Sequence, residues 1–114
     1  MDLKRGDIVL VPFPFTDLTS SKVRPAVIVS ADPQGEDIII AFISSVLTPS
    51  RNVDFLLAAD NPDFRETGLK KDSLFKMDKL LSIHKGLILR YLGRISVGIQ
   101  QKLNERLKAA LGLT

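Results

Sequence analysis

The sequence predicts a mainly β fold: a small, curled β-barrel with short helices and a closing C-terminal α-helix. Three observations carry this. Short β-branched runs alternate with turn clusters, the longest apolar run is only Ile38–Ile43, and one segment near the end has a clean helical stripe. Many short strands followed by one helix fit a barrel-like sheet with helical additions. With 114 residues, 45% hydrophobic and 25% charged, the chain has material for one domain over 1–114 and for a real core.

Taken in order, Ile8–Val11 is an unbroken apolar run, and Pro12 and Pro14 limit how far it can pair as a central strand. The polar stretch Thr16–Lys22 then reads as a surface loop. Ala26–Val29 and Ile38–Ile43 are the second and third strands, and Asp32-Pro33-Gln34-Gly35 between them suggests an antiparallel hairpin. Val53, Phe55 and Leu57 alternate with Asp54 and Leu56, as in a fourth strand with one face toward the core. Two more short strands are expected at Ser73–Phe75 and Leu80–Ile83, after polar residues broken by Asn61-Pro62 and Thr67-Gly68. Leu87, Ile88, Tyr91 and Leu92 have helical spacing and predict a short helix before Gly93. In the last segment Ile99, Leu103, Leu107, Ala110 and Leu111 share one face, Gln101, Lys102, Glu105 and Lys108 the other. Ser96 can cap its start and Gly112 its end.

The absence of cysteine excludes disulfides and thiolate metal sites and points to a reducing, cytoplasmic setting. No run approaches the roughly 18 apolar residues of a membrane span, and the charged start Met1–Asp7 does not resemble a secretory signal. A net charge of +3 permits attraction to a polyanion without requiring it.

Four blocks, in order, carry a resemblance. They are Arg5-Gly6-Asp7-Ile8-Val9 with Val23-Arg24-Pro25-Ala26-Val27-Ile28-Val29-Ser30; Ala41-Phe42-Ile43-Ser44-Ser45; Lys71-Asp72-Ser73-Leu74 through Leu81-Ser82-Ile83; and Leu92-Gly93-Arg94-Ile95-Ser96 before the closing helix. Together they cover nearly the whole chain, which on these residues resembles the MazF/PemK-like toxins. The resemblance implies an SH3-like barrel of MazF/PemK/CcdB type and a symmetric homodimer. It also implies a groove between subunits where single-stranded RNA is cut, and a small, acidic, partly disordered antitoxin partner. The first loop departs from the family: it is shorter and lacks the Gly-rich, Glu-Gln-containing stretch.

The same resemblance places the catalytic arginine on Arg24, immediately before Pro25, and a strand-end hydroxyl on Ser44 with Ser45 beside it. It matches a basic and an acidic residue two apart to Lys76 and Asp78. Lys22, Ser45, Phe15 and Lys79 are the expected RNA contacts. No metal and no cofactor is expected: acidic pairs such as Asp60 and Asp63 lie among turn residues, and there is a single histidine. RNA can be cut through its own 2′-hydroxyl, and an arginine fork suits the negative charge that grows on phosphate in that step. Asp78 can accept the hydroxyl proton only if its pKa is raised, and Lys76 can neutralise phosphate. Each residue also has a plainer account: a surface ion pair for Arg24, a solvated charge cluster for Lys76, Asp78 and Lys79, a locally satisfied hydroxyl for Ser44. His84, where the family commonly has an aspartate, is expected to start a short helix rather than to move protons. The rival to an endoribonuclease is a non-catalytic nucleic-acid-binding or gyrase-inhibiting protein on the same barrel.

Overall fold

The computed structural model of the chain describes residues 2–13 and 22–113. They form β1 (Asp7–Phe13), β2 (Lys22–Ala31), β3 (Asp37–Ser44), β4 (Asp54–Leu57), β5 (Ser73–His84), β6 (Arg90–Arg94) and α1 (Val97–Leu111), with 3₁₀ turns at Arg65–Thr67 and Lys85–Leu87. The strands make one antiparallel sheet in the order β4-β5-β3-β2-β1-β6, curled into a half-barrel. Bulges produce the curl, because an extra residue on one strand bends it and increases its twist. The register slips at Ile28/Ser30 of β2, at Ile8/Val9 of β1 and at Ala41/Phe42 of β3.

The unbroken apolar runs of the first three strands follow from a sheet covered on both faces. Ile8, Val27, Ala41 and Ile43 pack with Phe75, Met77, Ile99 and Leu103 in one cluster. Their neighbours Val9, Val11, Ala26, Ile28, Ile38 and Ile40 fill a second. Since side chains alternate along a strand, successive residues feed opposite faces and both must be apolar. The helix behaves as its stripe predicts: Ile99 and Leu103 are buried, the Ser96 hydroxyl accepts the Ile99 N–H at 3.1 Å, and Gly112 closes the end with φ 70°.

Three expectations change. The two strands expected at Ser73–Phe75 and Leu80–Ile83 are one strand, β5, joined through a wide bulge. There Phe42 stands opposite Lys76 while Ala41 stands opposite Leu80, so Met77, Asp78 and Lys79 have no partner on β3. Met77 instead donates its N–H to the Val53 carbonyl at 3.2 Å. The short helix expected before Gly93 is only the Lys85–Leu87 turn; Arg90–Arg94 extends as β6, because β1 offers it a free edge. Tyr91 packs on the second cluster from that strand. Finally, Asp54, expected on the outer face of β4, is buried at 1% exposure, whereas Leu56 is exposed.

Candidate functional site

Arg24 sits on β2 opposite Val11, with its guanidinium carbon 5.9 Å from the centre of the Phe13 ring. That distance is within cation–π range. Phe13 in turn meets Phe42 edge-on, the centroids 4.7 Å apart. The arginine and both rings border a cleft of about 450 Å³, where Ser44, Lys76 and Lys79 also converge. No carboxylate of the described residues borders it. Three cations against an aromatic and aliphatic wall make a place for phosphate beside a flat apolar group.

The bulge explains why both lysines arrive there. Side chains three apart on a regular strand point to opposite faces, yet Lys76 and Lys79 line one cleft because the chain between them is bulged. Asp78, between them, points away and pairs with Arg51.

Arg51, in the loop before β4, was not singled out from the sequence. Its Nε and Nη2 reach the two carboxylate oxygens of Asp54 at 3.1 and 3.0 Å, and its Nη1 and Nη2 reach those of Asp78 at 3.1 and 2.9 Å. Its backbone N–H adds a further bond to Asp54 at 3.1 Å. The only local signal was an Arg51–Asp54 spacing of three; the Asp78 contact spans 27 positions and exists only in the folded sheet. The hydrogen bonds from Arg51, with its charge, hold the Asp78 carboxyl below the usual carboxylate range. For Asp54, burial pushes the pKa up and the bonds from Arg51 outweigh it, so it too ends below the ordinary value.

This bears on the expected role of Asp78. A proton acceptor there required a raised pKa, and the Arg51 pairing lowers it. Ser44 follows its plainer account: its hydroxyl accepts the Val46 N–H at 3.0 Å and lies 3.3 Å from the Val46 carbonyl, closing a local turn at the cleft's rim. Arg24 departs from its plainer account, since no carboxylate among the described residues forms an ion pair with it. Ser45 borders a neighbouring groove that Arg24 also lines, next to Lys70 and Lys71. Lys22 is exposed at the start of β2, opposite Phe13. Phe15 lies outside the described residues. His84 does start a turn: its Nδ1 accepts the Gly86 N–H at 2.9 Å, and its Nε2 is 3.4 Å from Glu36.

Two comparisons with known proteins agree with this architecture. Residues 4–111 match the family described as PemK-like, MazF-like toxin of type II toxin-antitoxin system. Among solved structures, an endoribonuclease in complex with its cognate antitoxin from a mycobacterial species is similar at TM-score 0.78 and 18% identity, over 99% of this chain and 98% of that one. Mycobacterium tuberculosis toxin MazF-mt6 follows at 0.75 and 19%, over 95% and 98%. A MazE–MazF complex from Deinococcus radiodurans gives 0.74 and 15%, over 98% and 97%. No curated protein sequence matches.

Proposed function

Because the chain belongs to the PemK-like, MazF-like toxin family of type II toxin-antitoxin systems, we propose that it is an endoribonuclease that cuts single-stranded RNA without a metal ion. The observation that carries the proposal is the convergence of Arg24, Lys76 and Lys79 on one cleft walled by Phe13 and Phe42, with no bordering carboxylate of the described residues to compete for them.

The RNA's 2′-hydroxyl oxygen bonds to the adjacent phosphorus, and the bond to the 5′-oxygen breaks. A cyclic phosphate remains on one product and a 5′-hydroxyl on the other. Arg24 supplies two parallel donors to the phosphate oxygens as their charge grows, and Lys76 and Lys79 neutralise the strand. Asp78 is committed to Arg51, so in this reading the proton from the attacking hydroxyl passes to solvent and the leaving 5′-oxygen takes one from solvent. A base beside the cut phosphate has the Phe13–Phe42 wall to lie against. In the cell the protein works in the cytoplasm as a homodimer, and a small acidic antitoxin silences it. Its similar structures include an endoribonuclease in complex with its cognate antitoxin and a MazE–MazF complex.

The test is cleavage of labelled single-stranded RNA in excess EDTA. A single deoxynucleotide at the cut position should abolish cutting and leave binding nearly unchanged. Arg24→Ala should lower turnover roughly 100-fold to 1,000-fold, the scale of a lost charge-stabilising donor. Arg24→Lys should recover little, because lysine lacks the two-pronged contact. A deoxy-substituted strand cut at the normal rate, or a fully active Arg24→Ala, would overturn the reading. A protein that binds the strand and never cuts it would be the binding protein on the same fold.

A further inference from the structure

Two observations about Arg51 stand together. First, its fork spends four donor contacts on two carboxylates that lie beside the cleft's lysines in the fold: Asp54 faces Lys76 across the β4–β5 pair, and Asp78 precedes Lys79 in the bulge. Second, the tie between Arg51 and Asp78 spans the bulge that turns Lys76 and Lys79 to one side. Counting charges, Arg51, Lys76 and Lys79 against Asp54 and Asp78 leave one net positive charge. Without Arg51, two lysines face two carboxylates and none remains for phosphate.

We infer that Arg51 is a positioning residue for the phosphate-binding cleft, holding Asp54 and Asp78 so that Lys76 and Lys79 stay turned toward the strand and unpaired. The inference deepens the proposed function and rests on it only for the cleft's ligand being a nucleic-acid strand. A single carboxylate would need only one face of the guanidinium. The planar fork, with Nη2 shared between Asp54 and Asp78 at 3.0 and 2.9 Å, is what lets one side chain occupy both. Lysine keeps the charge but cannot reproduce that geometry.

The experiment uses a single-stranded DNA oligonucleotide, which offers phosphates and has no 2′-hydroxyl to be cut. Its affinity is measured by fluorescence anisotropy across a salt series for the parent, Arg51→Lys, and Arg51→Lys with Asp78→Asn. Arg51→Lys should bind about tenfold more weakly, the scale of one lost charge-assisted bond. Its plot of log affinity against log salt should flatten by about 0.7, the value of one phosphate contact on a single strand. Adding Asp78→Asn should restore affinity to within about threefold, since a neutral side chain no longer captures a lysine. A purely structural role for Arg51 would not be rescued by deleting its partner. Should Arg51→Lys fail to fold, Arg51→Gln with Asp54→Asn removes the buried charge along with its partner, and the same loss and the same rescue by Asp78→Asn are expected.

Unchanged binding in the Arg51 variant, a loss that Asp78→Asn does not restore, or a parent that does not bind the strand would each overturn the inference. RNA cleavage by the parent is scored separately. A protein that shows the full binding cycle but leaves RNA uncut retires the nuclease reading and leaves this one standing.

Discussion

Replacing Asp54 with asparagine is the most direct perturbation of the buried charge in this fold. The carboxylate accepts three bonds from Arg51, at 3.1, 3.1 and 3.0 Å, and its side chain is wholly buried. Asparagine keeps one oxygen and turns an NH₂ donor toward the donors of Arg51. Breaking one partner of a fully buried pair costs about 3–5 kcal/mol, and a single bond to a charged group about 1.5–3 kcal/mol. Arg51 is 46% exposed, so water rehydrates much of what it loses. The lower figure applies, and we expect a loss of about 2 kcal/mol at pH 7, or roughly 8 °C in Tm for a domain of this size. Because the folded pKa of Asp54 lies below its unfolded value of about 3.9, its contribution is complete above that pH and fades as pH falls through the folded value. Parent and variant should therefore converge as the pH is taken down through the folded value, below the ordinary carboxylate range. Urea unfolding followed by circular dichroism at neutral and acid pH measures this. Equal midpoints at pH 7, or a gap that persists undiminished in acid, would refute the assignment of the stabilisation to the charged pair.

His84→Ala should keep nearly normal RNA cleavage, because the imidazole caps the Lys85–Leu87 turn and is not among the residues bordering the cleft; an activity assay showing a loss of about 100-fold or more would return it to the chemistry. Gly93→Ala should cost roughly 1–3 kcal/mol as an overpacking change, since a Cβ there would collide with the backbone of Glu66 and Thr67; a thermal melt matching the parent contradicts that packing. In solution the protein should scatter light as a dimer, closed two-fold pairing being the commonest assembly of small chains; a monomer at micromolar concentration rules out a groove shared by two subunits.

Where local pattern and tertiary environment agree, the fold is legible from residues alone. Ile8–Val11, Ala26–Val29 and Ile38–Ile43 announce β1, β2 and β3 because both faces of their sheet are covered, and α1 announces itself by its stripe and both caps. β5 reads as two strands because Lys76, Asp78 and Lys79 interrupt its apolar character, and the interruption is the bulge beside the cleft. Tyr91 and Leu92 mimic helical spacing, but strand pairing with β1 overrides it. Arg24 and Lys76 were reachable by resemblance and Lys79 as a neighbouring basic residue, whereas Arg51 was not. Its partner Asp78 becomes a neighbour only once β5 folds beside β4, and a burial that reverses the expected face of Asp54 leaves no trace in alternation.

The pairing of β1 with β6 has a consequence in time. The first strand's outer edge is completed by the last one, and Ile95, Ile99 and Leu103, which close the cluster over Ile8, arrive later still. At about 5–20 residues per second, a ribosome needs roughly 6–20 s to make a chain of this length. For most of that interval Arg24 is already made, but the sheet that holds it still lacks its last strand or its helix. A stalled or prematurely released product would leave Ile8 uncovered and the outer edge of β1 unpaired, so the cleft that Arg24 borders has no complete sheet to hold it until synthesis has passed α1.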